Sequence, residues 1–413
     1  MTTSFLPVLL GSDINVYGMA RSFHEAYGVR SLALASFPLA PTRHSRIVDV
    51  ELIDGLGHAD SFVTTLLERA RTLAGRFDRL VLVPCGDLYA ELVSRFQREL
   101  GAAYVVASPD HDLVGRVANK ASFYELCAQH GIDHPRTRVI TAADAEAPAR
   151  LEAPFGFPTV LKASDAVAYL DVQFPGRKKA YVLASAEELR HVVASIYRAG
   201  YRDTLVLQEY IPGPDSQMRV VNSYSDARGE VRLMCLGAPL LEDHAPNVVG
   251  NYTAIRSTSD QALYDRLRGF LEALGYVGFA NFDLKLDPRD GTYRLFELNP
   301  RQGRSSFFVT LAGYNLARFL VEDRVFDRRA APVYGSNEVL WLQIPRCVLF
   351  RYTESADEKA RARALIAAGK SGTTLAYAAD DGLRRRAMRL MMDLHYVRSY
   401  YLQARVGRTG RVP

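Results

Sequence analysis

Along the first 118 positions, short apolar runs alternate with stretches whose apolar residues recur at helical spacing. Pro7 to Leu10 reads as a buried strand, Gly11-Ser12-Asp13 as a turn, Asn15 to Tyr27 as a helix and Val29 to Leu34 as a second strand. Arg79 to Pro84 is another strand run. It ends at Cys85-Gly86-Asp87, after which helical spacing continues through Glu99. Strands alternating with helices predict a parallel sheet covered on both faces.

From about residue 119 the pattern is mixed α+β. Helices are expected over Lys120 to Gly131 and Glu187 to Ala199. Strands are expected over Thr159 to Lys162, Leu205 to Tyr210, Val231 to Gly237, Phe279 to Leu286 and Tyr293 to Leu298, with one opening at Pro135 and a linker or short helix over Ala142 to Leu151. Beyond about residue 330 come an apolar strand-like run, Val339 to Ile344, and two helical patterns. The expected organisation is an α/β region over 1–118, an α+β region over 119–325 and a mostly helical extension over 326–413.

Length and composition fit this picture. A chain of 413 residues suits two or three packed domains, and 48% hydrophobic with 23% charged residues is ordinary for a globular protein. A net charge of +5 is compatible with anionic substrates and too dispersed to argue for nucleic acid. The four cysteines (Cys85, Cys127, Cys235 and Cys347) form no CxxC pair, which argues against a zinc site or a disulfide scaffold. The start of the chain has no basic region and only a short apolar run, and no segment reaches the roughly 20 apolar residues of a spanning helix, so a cytoplasmic location is expected.

The candidate chemistry begins with Asp283, Glu297 and Asn299. Asn281-Phe-Asp-Leu-Lys-Leu286 and Phe296-Glu-Leu-Asn299 both alternate, and Asp287 to Gly291 is a tight connection. Paired as a hairpin, the two strands bring the three side chains to one face. There they are either solvated or the oxygen ligands of Mg²⁺. Lys120 opens a helix and Lys162 ends a strand after three apolar residues; two such lysines suit a triphosphate. Gln208 to Asp215 ends a strand with a bend and an acid, where backbone could read adenine and the acid could take ribose hydroxyls. Gly11, Ser12 and Asp13, like Gly86 and Asp87, lie where strands of a parallel sheet end, as substrate contacts or as plain turns and caps.

In this order, Asn119-Lys120-x-x-Phe123, Gly131-Ile132-x-x-Pro135, Val160-Leu161-Lys162, Gln208-Glu209-Tyr210-Ile211-Pro212-Gly213, Asp283 and Glu297-x-Asn299-Pro300-Arg301 resemble the motifs of the ATP-grasp superfamily over about residues 1 to 325. The resemblance implies an ATP-grasp fold preceded by a parallel-sheet domain. It puts Lys120 and Lys162 on the ATP phosphates, Glu209, Tyr210 and Ile211 around adenine, Asp215 on ribose, and Asp283, Glu297 and Asn299 on Mg²⁺. Arg301 falls near the transferred phosphoryl group. The sequence departs from many relatives after Lys162, where Ser164-Asp-Ala-Val-Ala-Tyr169 and Pro175-Gly-Arg-Lys-Lys179 replace a glycine- and serine-rich loop. Lys179 is therefore only a weak candidate for the phosphates, and Ser164 to Lys179 is a candidate lid. Asn281 stands where some relatives carry arginine, leaving Arg219, Arg256 or Arg301 to supply that charge.

The opening Pro7-Val-Leu-Leu-Gly-Ser-Asp-Ile-Asn-Val-Tyr-Gly18 through Glu25 is similar to that of bacterial D-aspartate ligases. That resemblance implies attachment of an amino-acid carboxylate to an amine of a peptidoglycan precursor, free or nucleotide-linked, through an acyl phosphate. Arg301 and Arg304 would then hold the carboxylate that does not react. Two other readings of the same motifs are a phosphotransferase and a non-catalytic nucleotide sensor. A homo-oligomer is compatible with all three.

Near the C-terminus, Leu383, Ala387, Leu390, Met391, Leu394, Val397 and Tyr401 recur at helical spacing among six arginines. The stripe is expected to dock on the protein with the arginines solvated. The alternative is an amphipathic helix on an anionic membrane surface.

Overall fold

The computed structural model describes residues 3–165, 168–243 and 250–407. Its strands form three sheets. The first contains β1 (Phe5–Leu10), β2 (Ser31–Ala35), β3 (Val48–Leu52), β4 (Arg79–Pro84) and β5 (Val105–Val106), all parallel, in the order β3-β2-β1-β4-β5. β1 and β2 are buried almost throughout because helices cover both faces, which is why they read as unbroken apolar runs. The order reverses between β1 and β4, so the crevice beyond their carboxyl ends is a topological switch point, where ligands of such sheets gather.

The second sheet joins β6 (Thr137–Ile140), β7 (Thr159–Ala163), β8 (Ala180–Leu183) and β9 (Leu205–Glu209) in the antiparallel order β6-β9-β7-β8. The third is built on β10 (Met218–Ser225), β11 (Val231–Glu242), β12 (Tyr252–Thr258), β13 (Gly278–Leu286) and β14 (Tyr293–Asn299). The C-terminal extension adds β15 (Val333–Tyr334), β16 (Leu340–Leu342) and β17 (Ser371–Gly372) to this sheet, so it supplies strands as well as the helices Arg346–Tyr352, Ala356–Ala367 and Leu383–Gly407. Three of the cysteines are buried and Cys347 is exposed.

The C-terminal helix Leu383–Gly407 corrects an expectation. Leu390, Met391 and Leu394 of the apolar stripe are 60%, 64% and 59% exposed, and Leu383 and Tyr401 are exposed too. The docked face carries Arg385, Met388, Tyr396 and Tyr400. The reason is a buried polar network that hydropathy does not register. Arg385 lies 3.2 Å from Asp380, stacks 4.3 Å above the Tyr17 ring and donates to the Arg43 carbonyl at 2.9 Å. Asp380 also accepts from the Tyr17 and Ser45 hydroxyls. Tyr400 donates to the Glu242 carbonyl. A paired, buried arginine outweighs a solvent-facing leucine, because breaking one partner of a buried pair costs about 3–5 kcal/mol. Thermal unfolding should show the difference. Arg385→Met is expected to destabilise by about 3 kcal/mol, whereas Leu390→Glu with Leu394→Glu should stay within about 0.5 kcal/mol of the parent. No helix among the described residues is long and apolar enough to cross a membrane.

Candidate active site

β13 and β14 pair antiparallel with Asp283 opposite Glu297 and Asn281 opposite Asn299, so the alternation of each strand aims these four side chains at one face. Asn299 Nδ2 donates to Asp283 Oδ2 and to Asn281 Oδ1, each at 3.3 Å. The Tyr252 hydroxyl donates to Asp283 Oδ1 at 3.1 Å. The register slips just beyond Asp283, leaving Phe296 as a bulge. Its ring lies 5.1 Å from Lys162 Nζ, which reaches it from β7.

Lys120 is the first residue of the helix Lys120–Gln129, capped by the Asn119 side chain. Its backbone N–H donates to the Ser164 carbonyl at 3.0 Å, and its buried Nζ lies 3.7 Å from Glu297 Oε2. The start of this helix and the second sheet therefore each place one ammonium beside the same carboxylate of the third sheet. Lys179, exposed on the loop before β8, acts electrostatically on Asp283, Glu297 and Lys162. Burial, with Lys120 adding to it, pushes the Lys162 ammonium down to about 8. Burial and then the Glu297 charge raise Asp283. Burial also opposes ionisation of Glu297, but Lys120, Lys179 and Lys162 together hold it below the usual carboxylate range. The site keeps one anion firmly charged, a second under repulsion, and three ammonium groups nearby.

Arg301 follows β14 and is held bidentately by Asp87, with Nε to Oδ1 at 2.7 Å and Nη2 to Oδ2 at 3.1 Å; Nη2 also reaches Asn299 Oδ1 at 3.3 Å. Arg304, half-buried, makes no hydrogen bond or ion pair with a described residue. Arg256 and Arg219 do not fill the charge left open at Asn281. Arg256 is bound to Glu338 and Glu358, and Arg219 donates to the Ser216 and Met218 carbonyls. Gly11 turns the chain out of β1 at φ 116°, Ser12 donates to the Phe37 carbonyl, and Asp13 caps the helix Ile14–Tyr27.

At the end of β9 the Glu209 carboxylate is taken by Arg136 and Arg289. Lys285 Nζ donates to the carbonyls of Ile211 at 3.0 Å and Gly213 at 2.7 Å and lies 5.8 Å from the Tyr210 ring. This pins the bend after β9 against β13. Asp215 opens a single 3-10 turn, Asp215–Gln217; the structure describes its backbone and not its side chain. Of the expected lid, Ala166 and Val167 lie outside the described residues. The remainder is tied by Arg177 to the Tyr169 carbonyl and by the Lys178 N–H to the Tyr181 hydroxyl.

No family model matches the chain. Over 400 residues it is 44% identical to the D-aspartate ligase of Enterococcus faecium, an alignment that covers 95% of both chains. The chain belongs to the D-aspartate ligase family. Like that family it is an ATP-grasp enzyme, an ADP-forming carboxylate–amine ligase. A stretch covering 25% of this chain is 35% identical to 11% of the carbamoyl phosphate synthase large chain of Thermomicrobium roseum. The fold agrees with solved structures. The L-amino acid ligase of Bacillus licheniformis matches with a TM-score of 0.56 at 15% identity, over 78% of this chain and 75% of that one. The biotin carboxylase domain of Hydrogenobacter thermophilus 2-oxoglutarate carboxylase, solved with MgADP, matches with a TM-score of 0.61 at 16% identity, over 82% and 74%.

For this member of the family, the sequence reading passed over Tyr252, Phe296 and Lys285 and did not find the partner of Asp87. Lys285 was within reach: it follows Asn281 and Asp283 at period two on an alternating strand. Asp87 was noted at a strand end, but its arginine is 214 residues away. Nothing local marks Tyr252, which reaches Asp283 from β12, a strand that is not a neighbour of β13 in the sheet.

Proposed function

We propose that the chain uses ATP to activate the β-carboxylate of D-aspartate and joins it to an amine of a peptidoglycan precursor in the cytoplasm, releasing ADP and phosphate. The observation that carries the choice of donor is the identity of 44% to a D-aspartate ligase over 95% of both chains. The meeting of Lys120, Lys162, Asp283 and Glu297 on one face supports the ATP half of the reaction.

A carboxylate has no leaving group that an amine can displace at neutral pH. In the first step one carboxylate oxygen attacks the γ-phosphorus; an O–P bond forms as the bond to ADP breaks. In the second, the amine lone pair attacks the acyl carbon, and the C–O bond to phosphate breaks. Lys120 and Lys162 neutralise the phosphates, with Lys179 approaching from the loop after Lys162. Arg301 stabilises the charge on the phosphoryl group in flight. Adenine lies along Glu209 to Ile211 and over Phe296. The Glu209 carboxylate and the Ile211 carbonyl already have partners, so recognition falls to the remaining backbone groups, and Asp215 takes the ribose. The segment Ser164 to Lys179 closes over the phosphates and keeps water from the acyl phosphate.

The residues fit Mg²⁺. Asp283 and Glu297 face each other with their charges in mutual repulsion, and a divalent cation relieves it. Among the described residues no three His, Cys, Asp or Glu side chains cluster to hold a metal alone. The pair needs the Asn299 amide oxygen and phosphate oxygens to complete a shell, which is the usual habit of Mg²⁺. When bound there, the ion supplies charge neutralisation at the phosphates.

Lys162 makes nucleotide binding pH-dependent. A triphosphate favours the ammonium form and raises its pKa from about 8, so the protein takes up protons on binding. ATP affinity is expected to fall as pH rises from 7.5 to 9.5. Titration calorimetry in buffers of different ionisation enthalpy reads the proton uptake, which Lys162→Met should abolish. The reading of the donor is tested by ADP release and hydroxamate formation with Mg²⁺, ATP and hydroxylamine over a panel of amino acids. Activity with D-aspartate supports it, and activity with another acid but none with D-aspartate contradicts it.

A further inference from the structure

The crevice between β1 and β4 carries charges that the ATP half of the site does not use. Asp13 sits at the end of β1, half-buried. Its Oδ1 caps the following helix, accepting from Asn15 N at 3.0 Å and Val16 N at 3.2 Å, while its Oδ2 takes no hydrogen bond from a described residue. Arg304, a half-buried cation without a described hydrogen-bond or ion-pair partner, lies two residues beyond Gln302, which Asn15, two residues beyond Asp13, binds, and its charge acts on Asp13. Tyr396 of the C-terminal helix is buried and within electrostatic reach of Arg304.

The loop that carries Arg301 and Arg304 is bolted to this crevice. Asn15 Nδ2 donates to the carbonyls of Cys85 at 3.0 Å and Gln302 at 3.2 Å, and Gln302 Nε2 reaches the Pro84 carbonyl at 3.3 Å. Asn15 and Gln302 are 2% and 1% exposed, and the Oδ1 of one and the Oε1 of the other have no donor among the described residues. Buried acceptors left so are costly, and a crevice with them is suited to a donor-rich ligand.

We propose that Asp13 and Arg304 form the amino-acid head-group subsite, Asp13 binding the α-ammonium and Arg304 the α-carboxylate, while the β-carboxylate lies toward Arg301 and the phosphates. The inference rests on the proposed reaction and deepens it. Three charged groups on the donor meet three complementary groups from one loop and a helix cap. Arg304 supplies the fork that suits a carboxylate. Asp13 is anchored by its capping bonds, so its free oxygen has a defined direction. Three fixed points around one carbon define a hand, so the same subsite sets the preference between aspartate enantiomers.

The test uses the full-length enzyme in the hydroxamate assay, with D-aspartate as substrate and two analogues as competitors. Succinate lacks the ammonium; β-alanine lacks the α-carboxylate. Asparagine caps helices as well as aspartate, so Asp13→Asn keeps the fold. It is expected to raise the D-aspartate KM by about 10- to 100-fold, as for loss of a hydrogen bond to a charged group. It should leave the succinate inhibition constant unchanged and narrow the preference for D- over L-aspartate. Arg304→Gln should raise the D-aspartate KM similarly and leave the β-alanine constant unchanged. If each variant weakens substrate and both analogues in parallel, or moves none of them, the subsite is wrong. Loss of folding in Asp13→Asn leaves the Arg304→Gln comparison to decide. Should the parent enzyme make no D-aspartyl hydroxamate, the proposed reaction fails first, which separates the two ideas.

Discussion

Glu297→Gln is expected to lower kcat/KM for D-aspartyl hydroxamate formation by about 1,000-fold or more, the scale of removing a charge that the transition state depends on. Glutamine keeps the shape and one oxygen but removes the anion around which the site is organised. Glu297 stands opposite Asp283, 3.7 Å from Lys120, and within the fields of Lys162 and Lys179. Without it the three ammonium groups repel one another with only Asp283 to offset them, and the cation site keeps a single carboxylate. Lys162, already pushed down to about 8, should lose its proton more readily still. The loss belongs mainly to kcat. A decrease of less than tenfold, in protein whose circular dichroism matches the parent, would remove Glu297 from the metal set.

Arg301→Ala is expected to lower kcat by about 100- to 1,000-fold with little change in the KM for ATP. In this account Lys120 and Lys162 carry the ground-state binding of the ATP phosphates, so that binding survives the loss of Arg301. What is lost is charge stabilisation as the phosphoryl group moves. Arg301→Lys should recover only a small part, because a lysine is a point charge that cannot reproduce the fork now engaged by Asp87 and Asn299. Asp87→Asn separates positioning from chemistry: it frees the guanidinium and should change kcat far less than Arg301→Ala. An ATP KM that rises in step with the fall in kcat would instead assign Arg301 to nucleotide binding.

What the sequence made legible followed from periodicity. The hairpin of β13 and β14 was readable because polar and apolar residues alternate on both strands around a short turn. β1, β2 and β4 of the first sheet were readable because they are apolar runs covered on both faces, whereas β3, Val48–Leu52, alternates with acids and is partly exposed, and it and the two-residue β5 were not read. β10 and β12 were missed for the converse reason. Met218–Ser225 carries an asparagine and two serines yet is mostly buried: Asn222 shares the face of Asn281, and alternation turns Ser223 and Ser225 to the opposite, covered face. The C-terminal helix was turned the wrong way because a hydropathy stripe gives an arginine no credit for burial, and Arg385 has a carboxylate, two carbonyls and an aromatic ring around it. The members of the site legible in advance were those that sit in motifs. Tyr252, the pairing of Asp87 with Arg301 and the arginines on Glu209 became visible only once distant segments were brought together.

The central claim is that the β-carboxylate of D-aspartate receives the γ-phosphoryl group of ATP. D-Aspartate labelled with ¹⁸O in its β-carboxylate, incubated with the enzyme, Mg²⁺, ATP and hydroxylamine, tests it directly. The account predicts one ¹⁸O atom in each phosphate released, in step with ADP and D-aspartyl β-hydroxamate. Unlabelled phosphate, or ADP formed equally well without D-aspartate, would contradict it.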